Sequence, residues 1–415
     1  MKPEKNFPVH PRTRAAIPSA FYPWLLVALL WVVVMLNYLD RQTVYSLFPL
    51  IKAGLNVSDF QLGLLSTVFL WTYAIVSPAS GYLADRWGRR KAILTSLLVW
   101  SSVTWATGHV HSFDSLAATR ALMGISEACY LPAALALLAD FHGERSLSTA
   151  TALHQSGIYA GMVLGGAGGA WLGEHYGWQF AFRVFGAIGV LYALVLIPLL
   201  RARPAAAAGM NVHKLKLKVV LGELVAAQGF GAVVFAFCAY SVANWAIYTW
   251  LPTYLFERFS MKLAVAGFSA TFYIQIASVL GILAGGRITD AWRRRQRRAR
   301  LLMQVIGLAA AAPCLFVAGH TFSPALLIGS FLLFGIAKGF YDCNTMPVLC
   351  DLARSEIRAT GYGVMNLCGS FAGGITAAAT GALKGVIGVG AVFEIAGALL
   401  LISALPLLRV RFDGA

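Results

Sequence analysis

The chain has 415 residues, 59% of them hydrophobic and 12% charged, with 33 Lys and Arg against 17 Asp and Glu for a formal net charge of +16. A soluble globular chain carries roughly 25% charged residues. The mean hydropathy of +0.70 and apolar blocks of about 20 residues, the length that crosses a bilayer as a helix, exclude that class and predict an all-α integral membrane protein. A β-barrel is excluded too, because its spans are about ten residues of alternating polarity.

In chain order, the first 20 residues are polar and basic (Lys2, Lys5, Arg12, Arg14) and lack the short apolar core of a cleavable leader. Residues 1–21 are therefore expected to form a cytoplasmic tail. Apolar blocks between turn and charge signals predict helices near 22–51, 60–84, 91–109, 113–140, 147–173 and 177–200. After the polar stretch 201–224 come 225–256, 264–289, 300–319, 323–351, 359–384 and 388–408, and 409–415 is a second cytoplasmic tail. The stretch 201–224 reads as a flexible linker followed by a basic surface helix. It divides the chain into six-helix bundles over 22–200 and 225–408.

Lys and Arg fix the expected orientation. With the N-terminus inside, inner segments hold 24 of them and outer loops only four, Lys52, Arg258, Lys262 and Lys384. That asymmetry places both termini in the cytoplasm. It also accounts for the net charge without nucleic acid, and the run Arg293–Arg300 is suited to anionic lipid headgroups. The six cysteines all lie in apolar segments with no ligand spacing or disulfide framework, so they read as packing residues and no metal or cofactor is expected.

Asp40 and Arg41 stand next to each other in the first span. Each charge costs roughly 2.5–3.5 kcal/mol at a bilayer centre, so an intramembrane pair marks a functional site by default. Adjacent helical residues point about 100° apart and do not neutralise each other. Both need partners on other helices. Arg120 and Glu127 are seven apart on one face of the fourth span, about 10 Å along its axis, and are placed to supply them.

The halves resemble each other. Gly81-Tyr-Leu-Ala-Asp-Arg-Trp-Gly-Arg-Arg closes the second span, and Gly286-Arg-Ile-Thr-Asp-Ala-Trp-Arg-Arg-Arg closes the eighth. Glu127 precedes Pro132 by five residues, as Asp342 precedes Pro347. The series Gly157, Gly161, Gly169, Gly173 recurs as Gly369, Gly373, Gly381, Gly385. Such duplication is typical of transporters that bind substrate between the halves, and glycines at this spacing serve close packing or a moving interface.

The loop Gly81, Asp85, Arg86, Gly88, Arg89, Arg90, its second copy and the twelve spans resemble the major facilitator superfamily over the whole length. Asn37-Tyr-Leu-Asp-Arg, Ser58-Asp-Phe-Gln-Leu-Gly-Leu-Leu-Ser-Thr-Val-Phe and Arg120-x3-Gly124-Ile-Ser-Glu127-Ala are similar to two of its groups. These are the anion–cation symporters of sugar acids and other organic anions, and the Spinster-type carriers. The resemblance implies the major facilitator fold, twelve transmembrane helices in two pseudo-symmetric six-helix bundles working by alternating access.

Within that resemblance, the carboxylates at Asp40 and Glu127 are matched to proton coupling and Arg41 to the anionic substrate. Arg120 is either a substrate contact or a clamp on Asp40. Gln155 is a substrate contact by analogy, whereas His154 reads equally as a satisfied core residue. Tyr45, Tyr341, Asn344 and Asn366 are further substrate-contact candidates, and Lys338 with Asp342 is either an intrahelical ion pair or part of the substrate site. Asp85 and its basic neighbours are matched to the inner gate. The expected function is proton-coupled symport of a small organic anion by a monomer in a bacterial cytoplasmic membrane. The alternative is a Spinster-like carrier of lysophospholipid or another amphiphile. An enzyme is not expected, since no nucleophile–base constellation or nucleotide loop is present.

Overall fold

The computed structural model describes residues 21–142, 144–201, 217–353 and 357–410, without the side chains of 81–86, 144, 145, 148, 217–220 and 359. Among the described residues are fifteen α-helices. The first half contains α1 (Tyr22–Ser46), α2 (Phe48–Leu55), α3 (Asp59–Trp87), α4 (Arg89–Thr107), α5 (Phe113–Glu127), α6 (Tyr130–Phe141), α7 (Glu144–Tyr176) and α8 (Trp178–Leu199). A short α9 (Leu217–Ala226) leads into α10 (Phe230–Arg258), α11 (Leu263–Arg293), α12 (Ala299–His320), α13 (Pro324–Leu352), α14 (Arg358–Leu383) and α15 (Gly388–Arg409). Taking α1 with α2 and α5 with α6 as single interrupted spans, and leaving out the short α9, gives the expected twelve.

Nine of these spans are long and apolar enough to cross a bilayer by composition alone among the described residues. The other three are α4, which opens on Arg89-Arg90-Lys91, and the glycine-rich α7 and α14. The glycines of α7 explain its low hydropathy. A Cβ on Gly161 would lie 2.2 Å from the Met35 carbonyl oxygen, so α7 rides directly on the backbone of α1.

Local sequence sets the helix ends. Ser58 and Gln61 form a reciprocal capping box at the start of α3. Gly88, at φ 90°, ends α3 and turns the chain into α4, a conformation that side chains with a Cβ rarely adopt. The interruption between α5 and α6 falls four residues before Pro132, whose missing N–H leaves the Ala128 carbonyl without its helical donor. Pro347 stands at the matching place in α13, yet α13 runs on unbroken.

The two halves use one packing plan. In the first, α1 packs on α7, α3 on α5, and α4 on α8 and α5; in the second, α10 packs on α14, α11 on α13, and α12 on α15 and α13. The halves meet through α3 against α14, α7 against α11, and α1 against α10. Every hydrogen bond between halves among the described residues lies from the middle of the molecule toward one end. Thr67 Oγ1 donates to the Gly374 carbonyl at 2.7 Å, Trp71 Nε1 to the Phe371 carbonyl at 3.3 Å, and Lys384 Nζ to Asp59 Oδ1 at 3.2 Å. At this end the apolar core is continuous, with Val44, Phe48, Leu65 and Trp178 of the first half in one cluster with the second half. A second cluster, from Tyr22 to Leu200, is built of first-half residues toward the other end, with Trp245 of the second half packed against it. The molecule is closed at one end.

Candidate functional site

Arg41 leaves α1 toward α5 and pairs with Glu127, Nε to Oε2 at 2.5 Å. Its guanidinium lies 4.8, 4.9 and 4.7 Å from the ring centroids of Tyr38, Phe69 and Tyr73. Such cation–π contacts are each worth about 0.5–2 kcal/mol, most where water is excluded. Glu127 is fully buried, while the Arg41 side chain keeps 12% exposure.

Asp40 points the other way, as a neighbour about 100° round the helix must. Its Oδ2 accepts a hydrogen bond from Thr104 Oγ1 of α4 at 3.2 Å. Arg120 forms no ion pair with it. The Arg120 guanidinium instead contacts Met123 Sδ and lies 6.0 Å from the Phe69 ring centroid. Asp40 Oδ1, Glu127 Oε1 and Arg120 Nε are all buried without a protein partner. A clamp of Arg120 on Asp40 is thus not formed in this conformation. The fourth span supplies a direct partner to Arg41 only, and Thr104, with no charge to signal it in the sequence, supplies one to Asp40.

In the second half, Lys338 and Asp342 form the i, i+4 ion pair within α13. Tyr240 Oη donates to Asp342 Oδ1, and the Tyr240 ring stacks on Tyr341 with centroids 4.3 Å apart. Tyr240 was not distinguishable in sequence from other aromatic residues of an apolar helix. Tyr341 is 1% exposed, with its hydroxyl lacking a protein partner. Asn344 is turned into the bundle, donating to Thr289 Oγ1 at 3.2 Å and to the Phe340 carbonyl at 3.0 Å. Tyr45 is likewise internal, packed edge-on to Phe48 in the core of the closed end. Neither Asn344 nor Tyr45 is on an open wall in this conformation. Gln155 and Asn366 are half-buried, and Gln155 Oε1 has no protein partner.

His154 is a tie between helices. Tyr130 Oη donates to the Leu30 carbonyl at 2.9 Å, which leaves it to accept from His154 Nε2–H at 2.9 Å. Of the inner-gate candidates, the side chains of Gly81, Asp85 and Arg86 lie outside the described residues. Arg89 pairs with Asp140 of α6, and Arg90 donates to the carbonyls of Leu200 and Ile197. The second half repeats this device, with Arg293 and Arg300 on Asp351 and Arg298 on the Leu408 carbonyl. Glu394, unassigned by sequence, pairs with His320 at 2.8 Å near the closed end.

The arrangement is two ion pairs inside a helical bundle, one per half, with a second carboxylate beside the first. The described residues contain no cluster able to hold a metal ion. The chemistry available is exchange of carboxylate partners and of protons.

Residues 30–378 match the family model of the Major Facilitator Superfamily. The chain is 28% identical to Protein spinster homolog 1 of Xenopus laevis over 77% of its length, spanning 64% of that relative. It is 26% identical to the probable galactarate/D-glucarate transporter GarP of Escherichia coli strain K12, covering 85% of this chain and 86% of the relative. Among solved structures, a bacterial homologue of the human lysosomal transporter Spinster, in an inward-facing and unoccupied conformation, superposes with a TM-score of 0.80 at 20% identity. That likeness covers 96% of this chain and all of the other. The fold, the duplication and these relatives agree: the chain belongs to the major facilitator superfamily and is an integral membrane transporter.

Proposed function

We propose that the protein is a proton-coupled symporter of a small organic anion, a sugar acid in the first instance, working by alternating access. One observation carries the reading: Arg41 is held by Glu127 while Asp40, one position away, keeps one carboxylate oxygen without a partner. A substrate carboxylate that takes the Arg41 guanidinium must displace Glu127. An unpaired carboxylate is strongly unfavourable in a buried site, so the displaced acid takes up a proton. Anion binding and proton binding are thereby linked. The relatives with galactarate and glucarate in their names support a sugar acid.

The 24-to-4 distribution of Lys and Arg supports a cytoplasmic location for both termini, in the inner membrane of a bacterium. With that orientation, the closed end carrying Asp59 and Lys384 faces outward. The Gly81–Arg90 segment, where α3 turns into α4, then lies at the inner end, as a gate element there should. A monomer suffices, because both ion pairs belong to one chain.

Uptake by proteoliposomes tests the reading. Galactarate or glucarate should accumulate when the outside is made acidic, and a protonophore should abolish accumulation. Accumulation that ignores the proton gradient would sink the coupling. Binding of lysophospholipid with no response to either sugar acid would favour the amphiphile carrier instead.

A further inference from the structure

The coupling of Asp40, Arg41 and Glu127 leaves a second buried cation without a task. Lys338 sits in the middle of α13 with a side chain only 9% exposed, behind Asp342 at 26%. An intrahelical pair of this kind returns little stability, and a buried lysine in a membrane bundle is unfavourable, so helix support is a poor account of it.

Tyrosines connect the surroundings of Lys338 to those of Arg41. Tyr159 of α7, Tyr240 and Tyr248 of α10 lie in electrostatic range of Lys338. Tyr362 of α14 is 42% exposed and lies in range of Asp342 on one side and of Tyr73 on the other. Tyr38 is likewise in range of Tyr362. Tyr38 and Tyr73 are two of the three rings that hold Arg41. Tyrosines of α1, α3, α7, α10 and α14 thus link the surroundings of the two ion pairs across the bundles. The acids of the two pairs are counterparts in the duplication, Glu127 standing five residues before Pro132 and Asp342 five before Pro347.

We infer that Lys338 receives the far carboxylate of a dicarboxylate substrate whose near carboxylate is held by Arg41, an inference that rests on the symport reading above. The step is an exchange of ion-pair partners, with no covalent change. The far carboxylate takes the Lys338 ammonium, Asp342 is released, and Asp342 takes up a proton from water. A dianion thus enters with two protons, one on an acid of each bundle, and the charge of the site is unchanged. A monocarboxylate with a neutral far end leaves Lys338 and Asp342 paired, and takes only the proton of the first bundle. The tyrosines supply hydrogen bonds to the hydroxyls between the two carboxylates.

The test compares galactarate with galactonate, the same sugar acid with an alcohol in place of one carboxylate, in proteoliposomes of the full chain. Lys338→Met should lower the ratio of galactarate to galactonate kcat/KM by about tenfold or more, the size of a lost charged hydrogen bond. The double variant K338M/D342N removes both charges together and leaves none unpaired, so it guards against misfolding and should give the same fall in ratio. Parallel measurement of proton and labelled galactarate fluxes on Asp342→Asn should find one proton fewer per galactarate than in the wild type. An equal loss for both sugar acids, or an unchanged ratio in both variants, overturns the role of Lys338. Proton-driven uptake of galactonate without uptake of galactarate also overturns it, while leaving the symport reading intact. Uptake of neither by the wild type overturns both.

Discussion

Lys384 bridges the halves at the closed end, and its removal has a calculable effect. Its Nζ lies 3.2 Å from Asp59 Oδ1, in the first turn of α3, and 2.7 Å from Glu257 Oε1 of α10. Only the Asp59 contact crosses between halves, so it exists only while this end is shut. Exposed ion pairs are worth roughly 0.2–1 kcal/mol, and breaking a buried one costs about 3–5 kcal/mol. Lys384 is 12% exposed, but Asp59 is 19% exposed and shares its charge with Lys52 at 2.7 Å. An intermediate value of about 1.5 kcal/mol follows, roughly a tenfold change in the ratio of closed to open molecules. Lys384→Met should therefore populate the form open at this end about tenfold more. Lys52→Met is the control, because Lys52 and Asp59 both belong to the first half and move together. Spin labels at Asn56→Cys and Val386→Cys, both exposed positions flanking the closure, report the opening as a longer distance population in electron–electron resonance. If K384M and K52M leave the same distance distribution as the wild type, the latch is not what holds this end shut.

Gly63→Ala should open the same end further, since its Cβ would meet the Ala377 carbonyl oxygen at 2.2 Å and backbone cannot yield as a side chain can; the same pair of labels reads it. Glu127→Gln should abolish proton-driven accumulation while exchange of labelled for unlabelled substrate continues, and counterflow separates the two. Asp40→Asn should lose gradient-driven accumulation in the same assay, and intact coupled uptake there would remove Asp40 from the mechanism. Tyr130→Phe should lower the Tm of the detergent-solubilised protein by the loss of two hydrogen bonds, about 1 kcal/mol each, with the KM for substrate moved less than about twofold.

The twelve spans were legible because a bilayer demands blocks of about 20 apolar residues, and because caps such as Ser58 and the positive-φ Gly88 mark their ends in the sequence. What breaks a span is less visible. Glu127-x4-Pro132 and Asp342-x4-Pro347 are the same local pattern, yet α5 and α6 part while α13 is continuous. A proline weakens both helices alike; neighbouring helices decide which one yields. The glycine series shows the same limit. Gly157, Gly161 and Gly169 all press on α1 inside the first half, whereas Gly381, their counterpart in the duplication, meets Asp59 across the interface. Spacing announces close approach, and only the packing says to what.

The site divides along the same line. That Asp40, Arg41, Arg120 and Glu127 belong together follows from the expense of four charges in apolar helices, but their pairing depends on how α1 is rotated against α4 and α5. That rotation gives Glu127 to Arg41 and leaves Asp40 with Thr104 alone. The consequence is an asymmetry between the two arginines. Arg41 sits among three aromatic rings and keeps those contacts when Glu127 leaves it, so one carboxylate can replace another at little cost. Arg120 is 1% exposed, has no acid in direct contact to exchange, and is sealed from the inter-bundle space. The exchangeable cation is therefore Arg41. On the symport reading proposed above, the acid that an arriving anion displaces is Glu127, and Asp40 lies too far round the helix to take the guanidinium back.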